Sequence, residues 1–196
     1  NNNSKESFNL IWMGKPNLRE HIIEIIKGFK IAQETNNNLK LFLISKMESK
    51  YDSLIKKVKK ELRNVNNVYI TGFLSDEEKN DLLLSANAFI HLRRKSKETA
   101  HAFPTRIPEY VAYKKPIIFS DCPPFTNYFR HLHNAYFVNS KNNINEIANA
   151  ILFLSSNKKI CENISINCDK LIQEDFSIKQ NGLKLTEFIE SFQSQN

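Results

Sequence analysis

Glycine is scarce in this chain of 196 residues, and its scarcity argues against the common nucleotide-binding loops. Only four glycines occur. No segment fits the GxGxxG pattern of dinucleotide-binding loops or the GxxxxGK[ST] pattern of phosphate-binding loops. Gly14 and Gly72 each follow an apolar run that reads as a strand. The sequence therefore disfavours a classical dinucleotide-binding function and a P-loop NTPase function.

Cysteine and long apolar segments are scarce as well. The three cysteines, Cys122, Cys161 and Cys168, have no spacing typical of a metal site, which favours reduced thiols in a cytosolic protein. No apolar run approaches the ~20 residues that a membrane-spanning helix needs, and no basic segment with an apolar core marks a signal peptide. We expect a cytoplasmic protein that needs neither a metal nor another cofactor.

Positive charge is in excess, with a formal net charge of +7. A basic domain suits nucleic acid, an anionic membrane surface or a phosphorylated ligand. Nucleic acid is disfavoured because no recognised binding motif is present and the basic runs lack interleaved aromatic residues. Much of the charge, such as the lysines of YDSLIKKVKKELRN, fits a solvated helix face. A phosphorylated ligand and peripheral contact with an anionic membrane both stay open.

Apolar segments alternate with amphipathic ones along the whole chain. Helical spacing of apolar residues predicts helices, and short β-branched runs predict strands. Strands separated by helices favour parallel β-α-β units with right-handed crossovers. We therefore predict one α/β domain over residues 1–196, a Rossmann-like doubly wound parallel sheet of about six strands with helices on both faces. The predicted strands are 8–13, 39–45, 67–73, 88–92, 116–119 and 135–139; the predicted helices are 18–35, 50–64, 75–86, 104–113, 144–156, 158–174 and 177–193, with a short helix in CPPFTNYFRHL.

The segment FPTRIPEYVAYKKPIIF, from Phe103 to Phe119, is the most informative for function. It reads as a loop, a short helix, a turn and a buried strand, with Glu109 near the start of the helix. Ligands of such sheets bind beyond the carboxyl ends of the strands. There a carboxylate can accept ribose hydroxyls in charge-assisted hydrogen bonds, while helix N–H groups face phosphates. Equally, Glu109 can simply complement the helix dipole.

Several motifs together carry a family resemblance. WMGKPNLRE, VYITGFLSDEEKNDLLLSANAFIHL and FPTRIPEYVAYKKPIIFSD follow one another in the chain. In this order they resemble the C-terminal, donor-binding domain of GT-B glycosyltransferases, above all the retaining family 4, also called glycosyl transferases group 1. The resemblance covers about residues 8–192. Its specific parts are a glycine after the first strand, GFL before a polar helix, and EYVAYKKPII.

By resemblance, the nucleotide sugar would lie against residues from four loops. Gly14 and Lys15 would hold the diphosphate, with Arg19 as a second basic residue. Counting back from Phe29, however, puts Glu20 in the position of that second basic residue. Glu109 would hold the ribose. The base would rest on Gly72, Phe73 and Leu74, with Ser45 nearby, while backbone groups of Ala102, Phe103, Pro104 and Thr105 would line the phosphates and sugar. Arg106 either reaches a phosphate or, as we favour, pairs with a surface acid.

The acid pair of the family is broken here. Eight positions before Glu109 stands His101 instead of an acid, and Glu98 lies eleven positions before it. His101 is the candidate catalytic residue, because its imidazole could donate to a sugar hydroxyl or a phosphate. It is equally well an ordinary loop histidine, and Glu98 is a second, weaker substitute. The identity of the donor sugar depends on this position.

The resemblance implies a hexosyltransferase that takes its sugar from GDP-mannose or a UDP-sugar. The acceptor would be a glycan or a lipid-linked molecule, as in bacterial lipopolysaccharide or polysaccharide synthesis. Since such enzymes close two domains around the donor, this chain would need its own N-terminal acceptor-binding domain, to which the helix 177–193 would cross, and alone it would be nearly inactive. Two alternatives are a GT-B-type UDP-amino-sugar epimerase and a non-catalytic flavodoxin-type binding module.

Overall fold

The fold is a six-stranded parallel sheet flanked by helices, as seen in a computed structural model that describes residues 7–47, 52–63, 65–139, 141 and 144–193. The strands are β1 (Phe8–Met13), β2 (Leu39–Ile44), β3 (Val68–Ile70), β4 (Ala88–His91), β5 (Ile117–Ser120) and β6 (Tyr136–Val138). The helices are α1 (Ile22–Thr35), α2 (Asp52–Leu62), α3 (Asp76–Leu84), α4 (Lys97–Ala100), α5 (Arg106–Ala112), α6 (Phe125–Tyr128), α7 (Ile144–Ser156), α8 (Lys158–Glu174) and α9 (Ile178–Gln193).

The strand order is β3-β2-β1-β4-β5-β6, and every neighbouring pair is parallel. Leu10 faces Leu41 of β2 on one side and Ala88 of β4 on the other, so the order reverses between β1 and β4. This is the Rossmann order, and a flavodoxin-type sheet has the order 2-1-3-4-5 instead. The predicted Rossmann-like sheet is confirmed, and the flavodoxin-type alternative does not fit the observed topology.

Burial explains why the central strands read as unbroken apolar runs. Every residue of β4 and β5 is buried, as expected of parallel strands that are covered on both faces. On the helices, α1 packs against α7 and α2, while α5 packs against α8. The aromatic rings of Phe89 and Tyr110 stack at 4.3 Å between β4 and α5. This packing places the start of α5 beside the carboxyl ends of the strands.

The helices differ most from the predictions at two places. The first helix begins at Ile22 rather than at residue 18, because the Asn17 side chain accepts hydrogen bonds from the backbone N–H groups of Arg19 and Glu20 and folds this stretch into a turn. A further short helix, α4, lies between the predicted strand 88–92 and the predicted helix 104–113, where Ser96 and Thr99 form a capping box. Ser75 and Glu78 form another capping box at the start of α3.

The third strand is shorter than the predicted 67–73, since the described strand spans Val68–Ile70. The Thr71 N–H still donates to the Leu43 carbonyl at 3.2 Å, which continues the hydrogen-bond ladder between β3 and β2. Gly72 then takes a φ of +68°, a value that L side chains rarely adopt. The chain therefore turns at Gly72 and leads into α3. The ends of the predicted helix 50–64 lie outside the described residues.

Candidate functional site

A cavity of about 290 Å³ opens at the carboxyl ends of β1, β2 and β3. The loops that follow these three strands form its walls, as the sheet rule for parallel strands predicts. Six of the residues singled out from the sequence meet here: Gly14, Lys15, Ser45, Gly72, Phe73 and Leu74. Four further residues complete the lining: Met13, Ile44, Lys46 and Lys79. The structure thus brings the predicted nucleobase residues and two of the predicted diphosphate residues, Gly14 and Lys15, together in one cavity.

Gly14 leaves room for an arginine that arrives from α5. A Cβ on residue 14 would lie 2.1 Å from Nη1 of Arg106 and 3.0 Å from Oε2 of Glu20. Arg106 Nη1 donates to the Met13 carbonyl and lies 3.3 Å from Oε1 of Glu20. The acid that Arg106 pairs with is therefore the buried Glu20, and the surface acid we favoured for it is not the partner. The guanidinium holds the β1 end, Glu20 and α5 together beneath Gly14.

Phe73 gives the cavity an exposed aromatic face. Its side chain is 75% exposed, which is unusual for phenylalanine unless something covers it. The Lys46 ammonium lies 3.5 Å from the centroid of this ring, a distance at which the cation is attracted to the ring face. Leu74 is partly buried and packs against the core. The floor that we assigned to a nucleobase is thus apolar and backed by the core.

Glu109 lies at the side of the cavity and is paired with a lysine. Lys79 Nζ is 3.0 Å from Glu109 Oε1, which links α3 to α5. The Glu109 carboxylate raises the pKa of Lys79, so the ammonium stays charged. Both side chains remain about one third exposed. Lys79 lines the cavity directly. Sequence reasoning missed this residue, because its contact with Glu109 depends on how α3 and α5 pack.

Arg19 and Glu98 pair with each other outside this cavity. Their side chains are 55% and 61% exposed, and Arg19 Nη2 contacts Glu98 Oε1. The Arg19 carbonyl accepts from the Arg94 N–H at 3.0 Å, so the loop after β1 is tied to the loop after β4. Arg19, considered as a second basic residue for the diphosphate, and Glu98, considered as a substitute for the first acid of the family, thus form an ion pair with each other.

The four residues before α5, 102–105, follow β4, and His101 directly precedes them. They lie on the β4 side of the point at which the strand order reverses. His101 is exposed at the C-terminal end of α4. The Phe103 ring packs against Tyr128 at 5.2 Å and Phe176 at 5.6 Å, so its backbone and not its ring can face a ligand. The Pro104 carbonyl accepts from the N–H of Ile107 at 3.1 Å. Thr105 precedes α5 without a side-chain capping bond.

Several ionisable side chains lie in the interior near β1 and β4, where the strand order reverses. Arg93 is buried, and its N–H groups donate to Ser120 Oγ at 2.9 Å and, from the guanidinium, to the Ala102 carbonyl at 2.5 Å. Burial raises the pKa of Glu20, while Arg106 opposes the rise. Burial, reinforced by Arg106 and Arg93, holds the pKa of His91 well below its usual range. The two hydrogen bonds of Arg93 connect the end of β4 to β5 and to the segment before α5.

A second, more polar cavity lies at the opposite edge of the sheet. It measures about 550 Å³ and is lined by residues from the end of α1 and from the segments that lead into β2 and β3: Lys30, Gln33, Glu34, Asn37, Asn66 and Asn67. Because ligands of open parallel sheets bind at the carboxyl ends of the strands, the smaller cavity at Gly14 is the better candidate. None of the residues predicted to bind ligand lines the polar cavity.

Comparison with known proteins identifies the family and the fold. The sequence profile of the family described as "Glycosyl transferases group 1" matches residues 1–170. No curated protein sequence gives a significant match. Among the described residues, no helix is both long and apolar enough to cross a membrane.

Three solved structures illustrate the structural likeness. Anabaena Alr3699/HepE, crystallised with UDP-glucose, is 16% identical with a TM-score of 0.78 and aligns with 94% of this chain and 49% of its own. The C-terminal domain of the Francisella tularensis group 1 glycosyl transferase LpcC is 16% identical with a TM-score of 0.68, covering 88% of this chain and 87% of that one. The pneumococcal O-GlcNAc transferase GtfA, crystallised with UDP and GlcNAc, is 14% identical with a TM-score of 0.71, covering 96% and 37%. The chain spans about half the length of HepE.

Proposed function

Since the chain belongs to the glycosyl transferases group 1 family, we propose that it is the donor-binding half of a glycosyltransferase that uses a nucleotide-diphosphate sugar. One observation carries this proposal. Gly14, Lys15, Gly72, Phe73 and Leu74 line a single cavity at the carboxyl ends of three neighbouring strands, and Glu109 is joined to that cavity through Lys79.

Each part of a nucleotide diphosphate is assigned to residues that line the cavity or lie beside it. The base lies on the apolar surface of Gly72, Phe73 and Leu74, since Gly72 has no side chain to keep the base away from the backbone. The ribose hydroxyls donate to Glu109 in charge-assisted hydrogen bonds. The diphosphate lies at Gly14, where the Lys15 ammonium neutralises part of its charge. Arg19 joins Lys15 when the donor draws it away from Glu98.

The nucleotide we favour is a uridine diphosphate, and GDP-mannose is the alternative. HepE was crystallised with UDP-glucose and GtfA with UDP and GlcNAc. Their likeness to this chain lies in the fold, so the base must be identified by binding experiments. The cavity holds about 290 Å³, and the open side towards Ser45 and Met47 adds space beyond it.

The proposed reaction is transfer of a hexosyl group with retention of the anomeric configuration. The bond between the anomeric carbon and the diphosphate oxygen breaks, a bond to an acceptor hydroxyl oxygen forms, and the hydroxyl proton passes to an oxygen of the departing diphosphate. Negative charge then grows on the departing diphosphate, and a nearby cation stabilises it. Lys15 supplies that cation, with no metal needed. His101, in the place of the first acid of the family, donates a hydrogen bond to the donor sugar.

The acceptor is bound by a second domain. Because the chain corresponds to about half of HepE, we propose an N-terminal acceptor-binding domain as its partner, in a cytoplasmic enzyme that acts on a glycan or lipid-linked acceptor of bacterial lipopolysaccharide or polysaccharide synthesis. Exposed lysines of α2 suit contact with an anionic membrane surface. The chain on its own transfers little or no sugar.

The last helix is the surface that we assign to this partner. Its apolar side chains are exposed, from Ile178 at 92% to Leu183 at 49%. A 16-residue helix is only marginally stable in water without tertiary packing. We therefore expect the apolar stripe along it to pack against another protein surface. Leu185, Phe188, Ile189 and Phe192 share that stripe. We propose that α9 crosses to the N-terminal domain.

Calorimetric titration tests the proposal. The 196-residue chain is titrated with UDP, GDP, UDP-glucose and GDP-mannose, beside Glu109→Ala and the control Glu61→Ala. Glu61 also pairs with a lysine, Lys27, but on α1 and α2 and away from the cavity. We expect one nucleotide family to bind and only Glu109→Ala to weaken it. Binding of no nucleotide, or equal binding by the Glu109 variant, would contradict the assignment.

A further inference from the structure

Lys79 belongs both to the cavity and to the ion pair of Glu109. Its side chain is part of the cavity lining that Gly14, Lys15 and Phe73 also form. Its ammonium lies 3.0 Å from Glu109 Oε1. Glu109 itself is not among the residues that line the cavity. Lys79 therefore lies beside both the cavity and the carboxylate that is assigned to the ribose.

The geometry leaves both partners able to bind something more. An ammonium has three donors and a carboxylate about four lone-pair sites, and the contact between Nζ and Oε1 uses one of each. About one third of each side chain is exposed, so the pair is only partly covered by the protein. A carboxylate held at one oxygen presents the other in a fixed direction, which lowers the ordering cost when a ligand binds.

Stability alone gives a weak reason for this pair. Exposed lysine–carboxylate pairs contribute little to folding because water and salt screen them. The chain has a similar pair in Lys27 and Glu61, at 3.6 Å between α1 and α2, with comparable exposure. Neither Lys27 nor Glu61 lines the cavity at Gly14. The two pairs therefore form a natural comparison between a pair beside the site and one away from it.

We propose that Lys79 is a positioning residue that fixes the Glu109 carboxylate against the ribose and so makes the site selective for ribonucleotides over 2′-deoxyribonucleotides. The inference rests on the proposed function, since it takes the cavity to be the nucleotide site. Removing the ammonium leaves Glu109 free to turn towards solvent, and the hydrogen bonds to the 2′- and 3′-hydroxyls become weaker. The loss falls on recognition of the ribose and leaves the base and diphosphate contacts in place.

The experiment measures the preference for ribose in four proteins. Calorimetry gives the dissociation constants of UDP and 2′-deoxy-UDP for the unaltered chain, Lys79→Met, Lys79→Arg and the control Lys27→Met. We expect the unaltered chain to prefer UDP by about tenfold or more, the size of one hydrogen bond to a charged group. Lys79→Met should bring the preference to within about threefold, whereas Lys79→Arg, which keeps the charge, and Lys27→Met should retain it.

The outcomes separate the two proposals. Equal weakening of UDP and 2′-deoxy-UDP in Lys79→Met would overturn the positioning role, because a purely structural pair would have that effect. So would an unchanged preference. If the unaltered chain binds GDP rather than UDP, the same comparison is made with GDP and 2′-deoxy-GDP. If it binds neither, the proposed function falls, and the role of Lys79 falls with it. A thermal melt of each variant confirms that it is folded.

Discussion

Arg106 and Glu20 meet directly beneath Gly14, with Nη1 of the arginine 3.3 Å from each carboxylate oxygen of the glutamate. Glu20 stands where the family resemblance would place a basic residue, and Arg106 brings a positive charge to the same place from α5. Glu20 belongs to the loop after β1, whereas Arg106 reaches that loop from α5. The pair also explains why residue 14 has no side chain, since a Cβ there would overlap the guanidinium.

Gly14→Ala should therefore destabilise the protein. The new methyl group would displace Arg106 from the Met13 carbonyl and from Glu20, and crowding of this kind costs about 1–3 kcal/mol. Urea denaturation measures the change. Gly182→Ala is the matched control, because a Cβ at Gly182 on α9 has no neighbour within 4 Å. There we expect unchanged or slightly greater stability, since alanine favours a helix. Equal effects at both glycines would contradict the account of Arg106.

Lys15→Ala should weaken nucleotide binding by about tenfold or more, because it removes a charge-assisted contact to the diphosphate. Calorimetry with the favoured nucleotide diphosphate measures the change. The loss should shrink when the nucleoside without phosphates is used instead. Lys57→Ala, on the exposed face of α2, serves as the control for general charge and should leave the affinity unchanged. An unaltered dissociation constant for Lys15→Ala would remove Lys15 from the site.

His91 should make the protein less stable in mild acid. Its ring is fully buried, and burial together with Arg106 and Arg93 depresses its pKa in the folded state. Below the unfolded-state pKa of about 6.5, the His91 imidazole binds a proton in the unfolded chain but stays neutral in the folded protein. Stability from this group is thus complete above that pH and falls below it, by at most about 1.4 kcal/mol per pH unit.

Comparison with variants isolates the contribution of His91. Urea denaturation at pH 7 and pH 5 should show a smaller loss on acidification for His91→Leu than for the unaltered chain. His133→Gln changes an exposed histidine and should leave the loss unchanged. If His91→Leu loses as much stability as the unaltered chain between these two pH values, the histidine does not carry the effect.

The cysteine thiols should react slowly in the native protein. Burial raises the pKa of Cys161 to about 11 and that of Cys168 to about 12, and it raises the pKa of Cys122 as well. The thiolate is the reactive form, and at pH 8 about one Cys161 in a thousand would carry it. Labelling with Ellman's reagent should be slow at pH 8, faster as the pH rises, and complete at once in guanidinium chloride. Rapid labelling of the native chain would contradict the burial.

Sequence patterns could predict most of the fold because parallel strands buried on both faces read as short apolar runs. LKLFLIS and PIIF became β2 and β5 with their ends shifted by a single residue. The cavity residues could be predicted for a related reason. Strand ends in a parallel sheet lie at one edge, so Gly14, Ser45 and Gly72 had to be neighbours once the strands were placed.

Contacts that depend on how helices pack could not be read from the chain. Lys79 lies one turn into α3, and only the angle between α3 and α5 brings it to Glu109. Arg106 and Glu20 are 86 positions apart, and Arg19 and Glu98 are 79 apart. In each of these pairs a predicted site residue met a charged partner that local patterns cannot assign. The short helix α4 was missed because its capping box lies in a polar segment with no apolar periodicity.

Mapping UDP onto the chain by NMR tests the central claim most directly, namely that the cavity at the carboxyl ends of β1, β2 and β3 holds the nucleotide. We predict saturable shifts of backbone amides at 13–15, 44–46, 72–74, Lys79 and Glu109. The amides of Gln33, Glu34 and Asn66, at the polar cavity on the opposite edge, should not move. Shifts confined to that opposite edge, or no saturable shift with UDP or GDP, would contradict the account.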